Sequence, residues 1–345
     1  MCAWTGPMCC ARVPRCRARA PHCSVARFMT RRARAQTFAG RRIAVRVDPG
    51  TGAGHHKKVV TAGKAQKFGH PVELFDSVLR AARDVGATIV GGRRRGLGGA
   101  WVDAAFAGLH AHVGSGIREP AVWGQTASAL IALAVAREGG DASPLVLPAL
   151  EWLDIGGGLG VVYRLGRETP LDLHAVNAAL AAPVAALAAG RSGHDGPRVT
   201  LRVEPGRYLV CEAGVLCASV TQVREKGGYT FVGLSVGMNA LIRCVQSECR
   251  LCWGGRMRCC GRPMLYDAYH EVYNLTRLGE PCKPDTAYQI VGPICETGDL
   301  IGRDRALPAP VPGDVVVVAN AGAYGAVMAS AYNMRPTVEQ IVLDC

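Results

Sequence analysis

From residue 41 onward, short runs of β-branched residues alternate with longer stretches whose apolar side chains recur every three or four positions. Residues 41–47 read as a strand ending at Asp48-Pro49-Gly50, and residues 72–85 as a helix stopped by Gly86. A strand begins over 87–90, is broken by the Gly/Arg-rich segment that follows, and resumes over 109–113. Residues 127–137 are helical in period, and 152–155 form a strand that runs into glycines. Residues 171–189 form an alanine-rich helix, followed by a strand over 199–203. Such alternation predicts a parallel sheet covered by helices. After about residue 209 the rhythm changes to β-rich runs bounded by turn residues, at 215–223, 230–234, 287–291 and 315–319. A second, mainly β domain is therefore expected over 209–345.

Composition changes this picture at three places. The chain has 345 residues, 49% of them hydrophobic, and a net charge of +13. The whole excess lies in three segments: eight arginines without an acid in 1–40, three against Asp103 in 91–107, and four against Glu248 in 244–262. The rest is neutral, as in a metabolic enzyme. A nucleic-acid reader carries its charge on a folded face with interleaved aromatics, so no nucleic-acid partner is expected. No run approaches the roughly 20 apolar residues of a membrane span. Ten of the 15 cysteines fall in the first and third segments, without an apolar signal core, which reads as reduced thiols. Residues 1–40 read as a transit peptide or a non-native leader, giving a cytoplasmic location, or a plastid or other organelle. Residues 91–107 and 244–262 read as insertions. Cys249-x-x-Cys252 followed by Cys259-Cys260 departs from the spaced pairs of zinc modules, and no metal site is expected.

Candidate chemistry sits at strand ends. Gly156, Gly157 and Gly158 could let backbone N–H groups approach phosphate oxygens. His112 and Ser115 end the preceding strand, where an imidazole could lie on an aromatic ring and a hydroxyl could donate to phosphate; a lone histidine there could equally be structural. Glu204-Pro205-Gly206-Arg207 ends the next strand. A carboxylate there could keep a pyridine nitrogen protonated, and a guanidinium could pair with phosphate; a plain surface turn is the simpler alternative. Cys295-Glu296, in a loop after 287–291, could move a proton or bind an ammonium group, or be no more than a small side chain beside an acid.

In this order the motifs resemble the pyridoxal-phosphate decarboxylases of the ornithine/diaminopimelate/arginine family. The resemblance rests on Gly-His-His-Lys-Lys-Val at 54–59, Gly-Lys-Ala-Gln-Lys-Phe-Gly at 63–69, Leu-His-Ala-His-Val-Gly-Ser-Gly-Ile at 109–117 and Gly-Met-Asn-Ala-Leu-Ile-Arg at 237–243. It rests further on Pro-Met-Leu-Tyr-Asp-Ala-Tyr-His at 263–270 and the tail 319–333. It is strongest to the diaminopimelate branch, in particular the decarboxylase half of aspartokinase-linked proteins. The resemblance implies an α/β fold: a partial (β/α)8 alanine-racemase-like TIM barrel over 41–208, holding its last four strands, then the β-rich domain. It also implies pyridoxal 5'-phosphate as cofactor, an amino-acid substrate and a homodimer with shared active sites.

By the same resemblance, His112 stacks on the cofactor ring, and Ser115, Gly156, Gly157, Gly158 and Arg207 hold its phosphate. Glu204 faces the pyridine nitrogen, and Tyr324 lines the site. Arg243 and Tyr266 bind a substrate carboxylate. Cys295 donates a proton and Glu296 binds the distal amino group, both in the partner's site. The implied reaction is decarboxylation of meso-2,6-diaminopimelate to L-lysine. The family's Schiff-base lysine stands upstream of the match, and none of Lys57, Lys58, Lys64, Lys67, Lys226 and Lys283 occupies that context, which puts the activity of this chain by itself in question. A non-catalytic paralogue regulating a true decarboxylase, an ornithine or arginine decarboxylase, and a different phosphate-binding barrel enzyme are the competing readings.

Overall fold

The computed structural model describes residues 44–55, 59–63, 66–75, 77–78, 94–95, 101–102, 108–135, 150–190, 198–242 and 268–344. Two sheets organise them. The first contains β1 (Ala44–Asp48), β2 (His70–Pro71), β5 (Gly108–His110), β6 (Trp152–Gly157) and β7 (Thr200–Glu204), in the order β2-β1-β5-β6-β7. Every pairing in it is parallel. The strand segments expected at 41–47, 109–113, 152–155 and 199–203 thus lie side by side in chain order, as successive barrel strands do. A separate antiparallel ribbon pairs β3 (Arg94–Arg95) with β4 (Trp101–Val102) inside the segment read as an insertion. The expected strand start at 87–90, most of the helix expected over 72–85, and the cysteine-rich segment 244–262 lie outside the described residues.

Helices α1 (Ala121–Val135) and α2 (Leu173–Gly190) pack together over this sheet. Helix α1 buries Trp123, Ala127, Leu130, Ile131 and Ala134, spaced at three and four residues, into the core that holds Leu109, Leu153 and Ile155. Its start, six residues earlier than the period suggested, reflects Val122 and Trp123 joining that stripe. The two helices meet at a backbone contact. Pro183 lies inside α2 and has no N–H to give the carbonyl of Ala179, four residues earlier. That carbonyl faces Gly124 of α1, where a Cβ would lie 2.4 Å from the oxygen. Only glycine admits this approach.

The short helix α3 (Gly206–Val210) leads into the second sheet. That sheet holds β8 (Leu216–Lys226), β9 (Tyr229–Leu234), β10 (Val272–Asn274), β11 (Tyr288–Val291), β12 (Leu300–Arg305) and β13 (Val315–Val318), in the order β10-β13-β8-β9-β11-β12. Leu216, Ala218 and Val220 alternate inward on β8 and meet Val232, Leu234, Ile290, Val316 and Val318. Strands β10 and β12 are not apparent in the hydrophobic pattern, because β10 has three residues and β12 carries Arg303, Asp304 and Arg305. Arg305 is buried because its guanidinium stacks 3.8 Å from the Tyr269 ring and donates to the His270 carbonyl at 3.0 Å. Among the described residues, no helix is long and apolar enough to cross a membrane.

Asp314 anchors the base of β13. It is 4% exposed and accepts hydrogen bonds from Asn274 Nδ2 (2.9 Å), Arg277 Nε (2.8 Å) and the Val311 N–H (3.0 Å). Burial alone would raise its pKa; the hydrogen bonds from Asn274, Val311 and Arg277 outweigh it and lower it. A carboxyl depressed in the folded state adds stability above its unfolded pKa, near 3.9, and loses it as pH falls through the lower folded value. Asp314→Ala is expected to cost roughly 1–3 kcal/mol, because it leaves the buried Asn274 donor unpaired and removes the bonds from Arg277 and Val311. Thermal unfolding at pH 7 and pH 3 checks this: the gap between variant and parent narrows at the acid pH.

Candidate active site

The C-terminal ends of β5, β6 and β7 converge with α3 to form the site. Beyond His110 the chain leaves the ladder, earlier than the strand expected to 113, because its carbonyls find other donors. His112 O accepts from Arg46 Nη2 (3.0 Å) and Thr61 Oγ1 (2.7 Å), while Val113 O accepts the N–H groups of Ala53 and Thr61. This turn brings His112 and Ser115 to the mouth of the sheet.

The three glycines at the end of β6 are required by close packing. A Cβ on Gly156 would lie 2.5 Å from the Ala111 carbonyl oxygen, and one on Gly157 would lie 1.9 Å from that of Glu204. Gly158 has φ +90° and sits against Gly114. Two of their N–H groups are already used: Gly156 donates to Asp154 Oδ1 (2.9 Å) and Gly157 to His112 Nδ1 (3.0 Å). Much of the anion-binding capacity therefore falls to side chains.

Arg207 supplies it. This residue is buried, and its Nε and Nη2 donate to Ser115 Oγ at 3.2 and 3.0 Å. Its Nη1 donates to the Tyr163 hydroxyl at 3.0 Å, and its guanidinium carbon stands 4.7 Å from the centroid of the Tyr324 ring. Ser115 Oγ accepts both arginine bonds, so its own hydrogen remains to donate. A guanidinium with N–H groups to spare beside a donor hydroxyl makes a seat for an anion.

Glu204 lies on the adjacent strand, 3.5 Å from His110 Nε2 and 3.6 Å from His112 Nδ1. Because His112 Nδ1 accepts the Gly157 N–H, its ring carries the proton on Nε2 when neutral, and His110 is the imidazole able to donate to Glu204. His110 Nε2 is buried and has no closer hydrogen-bond partner among the described residues. The hydrogen bond from His110 is the largest influence holding the Glu204 carboxyl far below the usual carboxylate range, against the opposing effect of burial. His110, Asp154 and Glu204 also offer ligand atoms within 4.8 Å of one another. We read this group as a carboxylate network, since Asp154 already caps Gly156.

His112, Ser115, Gly156, Gly157, Gly158, Glu204, Arg207 and Tyr324 are thus brought together. Cys295 and Glu296 are grouped elsewhere on the chain. Cys295 is exposed, and Glu296 Oε1 accepts the Tyr332 hydroxyl at 2.7 Å. Their loop is pinned by Asp299, which accepts the N–H groups of Ile294 and Met238, both at 2.6 Å. Arg243 and Tyr266 lie outside the described residues. Sequence reasoning missed Tyr163, His110 and Asp299. His110 stands inside the motif at 109–117 and Asp299 lies three residues beyond Glu296, whereas nothing in the type or spacing of Tyr163 announces a partner at residue 207.

Comparison with known proteins agrees with this geometry. Residues 102–211 match the pyridoxal binding domain of pyridoxal-dependent decarboxylases, and residues 254–322 match the C-terminal sheet domain of the same enzymes. Diaminopimelate decarboxylase of Methanothermobacter thermautotrophicus is 32% identical over 88% of this chain and 60% of its own length. That of Escherichia coli K12 is 31% identical over 90% of this chain and 64% of its own length. The crystal structure of the Helicobacter pylori diaminopimelate decarboxylase complexed with L-lysine superimposes with a TM-score of 0.63 at 26% identity, covering 88% of this chain and 62% of that one. The chain spans about three-fifths of the length of these relatives. Two consecutive domain matches in one order, an anion seat at the ends of parallel strands and an ionised acid beside it have one common explanation: the chain belongs to the pyridoxal-phosphate-dependent ornithine/diaminopimelate/arginine decarboxylase family.

Proposed function

We propose that this chain binds pyridoxal 5'-phosphate and takes part in decarboxylating meso-2,6-diaminopimelate to L-lysine, as one half of a homodimer. The observation that carries the reading is the Arg207–Ser115 pair lying one strand from an ionised Glu204. When bound, the cofactor supplies an aldehyde and a ring that accepts the electrons left behind by departing CO₂.

The residues divide that work. Ser115 and Arg207 hold the phosphate and so fix the distance of the ring from the strand ends. Glu204, kept charged by His110, would hold a proton on the nitrogen of the bound cofactor. His112, oriented through Nδ1 by the Gly157 N–H, would lie against its ring. Arg243 and Tyr266 bind the substrate carboxylate. The exposed Cys295 thiol reaches the partner's site and delivers a proton to the carbon that lost CO₂. Glu296 pairs with the distal ammonium group, which selects a substrate with a second charged end.

The test is a stoichiometric assay of the protein with pyridoxal phosphate and meso-diaminopimelate, ornithine or arginine. Whatever CO₂ is released is expected to come with an equal yield of lysine from diaminopimelate, and at least tenfold faster than from the other two. Faster release from ornithine or arginine would overturn the substrate. Cofactor binding with no release from any of the three, together with assembly onto an active decarboxylase, would replace the reading by a regulatory one.

A further inference from the structure

The arginine that would hold the phosphate is itself held by a hydrogen-bonded relay that crosses from the first sheet to the second. Arg207 Nη1 donates to Tyr163 Oη at 3.0 Å, and that oxygen lies 3.1 Å from Cys211 Sγ. Since the phenol oxygen accepts the guanidinium proton, its own hydrogen is directed to the sulfur. Cys211, fully buried, in turn approaches the Asn320 carbonyl at 3.3 Å. Asn320 adopts φ +57° and returns a bond from Nδ2 to the Val162 carbonyl at 2.9 Å, one residue before Tyr163. The phenol ring is wedged in a small core of Val161, Cys211, Ala323 and Tyr208, and it meets the His270 ring edge-on at 5.3 Å. Every degree of freedom of the Tyr163 hydroxyl is thereby set by its surroundings.

We propose that Tyr163 is a positioning residue for phosphate recognition: it locks the Arg207 guanidinium in the plane that presents both Arg207 and Ser115 to a phosphate monoester. A guanidinium on a flexible stem loses rotamer freedom whenever it grips an anion. Here that loss is met in the folded chain before any ligand arrives, so preorganisation raises affinity for the phosphate and for nothing else in the ligand. The proposal rests on the reading of Arg207 given above, and the experiment separates the two.

Equilibrium dialysis of the full chain compares pyridoxal 5'-phosphate with pyridoxal, which lacks only the phosphate, in the parent and in Tyr163→Phe. The parent is expected to prefer the phosphate ester strongly. Tyr163→Phe is expected to bind the ester about tenfold more weakly and pyridoxal within twofold of the parent. Cys211→Ser, which keeps a donor and an acceptor in the relay, is expected to retain the parental preference. A parent that does not prefer the ester would sink the reading of Arg207. A parent that prefers it, with Tyr163→Phe unchanged, would sink the positioning role alone. Equal weakening for both compounds would make Tyr163 a packing residue and overturn the proposal. If Tyr163→Phe folds poorly, Cys211→Ala reads the relay from its far end, and an unaltered preference there would count against it.

Discussion

Replacing Arg207 by alanine is expected to weaken pyridoxal phosphate binding by about 100- to 1000-fold. The guanidinium is a permanent positive charge that touches both Ser115 and Tyr324. Charge-assisted hydrogen bonds are worth roughly 1.5–3 kcal/mol each, and two to one phosphate would be lost. A total of about 3–4 kcal/mol converts to that range of affinity. The two engaged glycine N–H groups cannot take over, since they are bound to Asp154 and His112. Arg207→Lys keeps the charge without the planar fork and is expected to recover only part of the loss. Titration by fluorescence quenching measures both variants; an Arg207→Ala protein binding within threefold of the parent would remove Arg207 from the phosphate site.

Glu204→Gln is expected to act on turnover rather than on binding. Glutamine keeps the shape of the side chain but carries no charge to hold a proton on the ring nitrogen. The electrostatic contribution of one such preorganised group is about 3–4 kcal/mol, so kcat should fall by roughly 100- to 1000-fold. The affinity for pyridoxal phosphate should change by less than about threefold, because Ser115 and Arg207 are untouched. Ionisation explains why the native acid is suited to this. His110 lowers the Glu204 pKa from an ordinary value of 4.5. Its contribution to stability is present above pH 4.5 and is lost only as pH falls through the lower folded value. An acid limb of the rate profile between pH 5 and 7 therefore belongs to another group, and it should survive in Glu204→Gln. A variant whose kcat is unchanged would show that the acid does not serve the ring.

The strand ends were legible in the sequence because they combine two independent signals, a β-branched run and a terminal motif. Glu204-Pro205-Gly206-Arg207 and Gly156-Gly157-Gly158 each fall where β7 and β6 end. What the glycines do was less legible. Their spacing suggested amides open to an anion, whereas two of the amides are consumed by neighbours, and the missing Cβ atoms matter mainly for strand contact at 1.9–2.5 Å. Close approach and ligand contact demand the same residue, so composition cannot separate them. The relay through Tyr163, Cys211 and Asn320 joins positions up to 158 residues apart through ordinary residue types. Such a network leaves no periodic trace. Strand β12 was hidden for a related reason, since an arginine buried by aromatic stacking looks like a surface residue in a hydropathy pattern.

Tyr324, on the turn after β13, lies under the guanidinium that Ser115 also engages. The grip is thus shared by segments more than a hundred residues apart, and ligation and the docking of those segments are thermodynamically reciprocal. Whatever free energy the coenzyme gains from a well-seated Tyr324 turn, the turn gains from the coenzyme. Vitamin supply would then set not only catalytic capacity but also how firmly the two halves of the polypeptide stay joined.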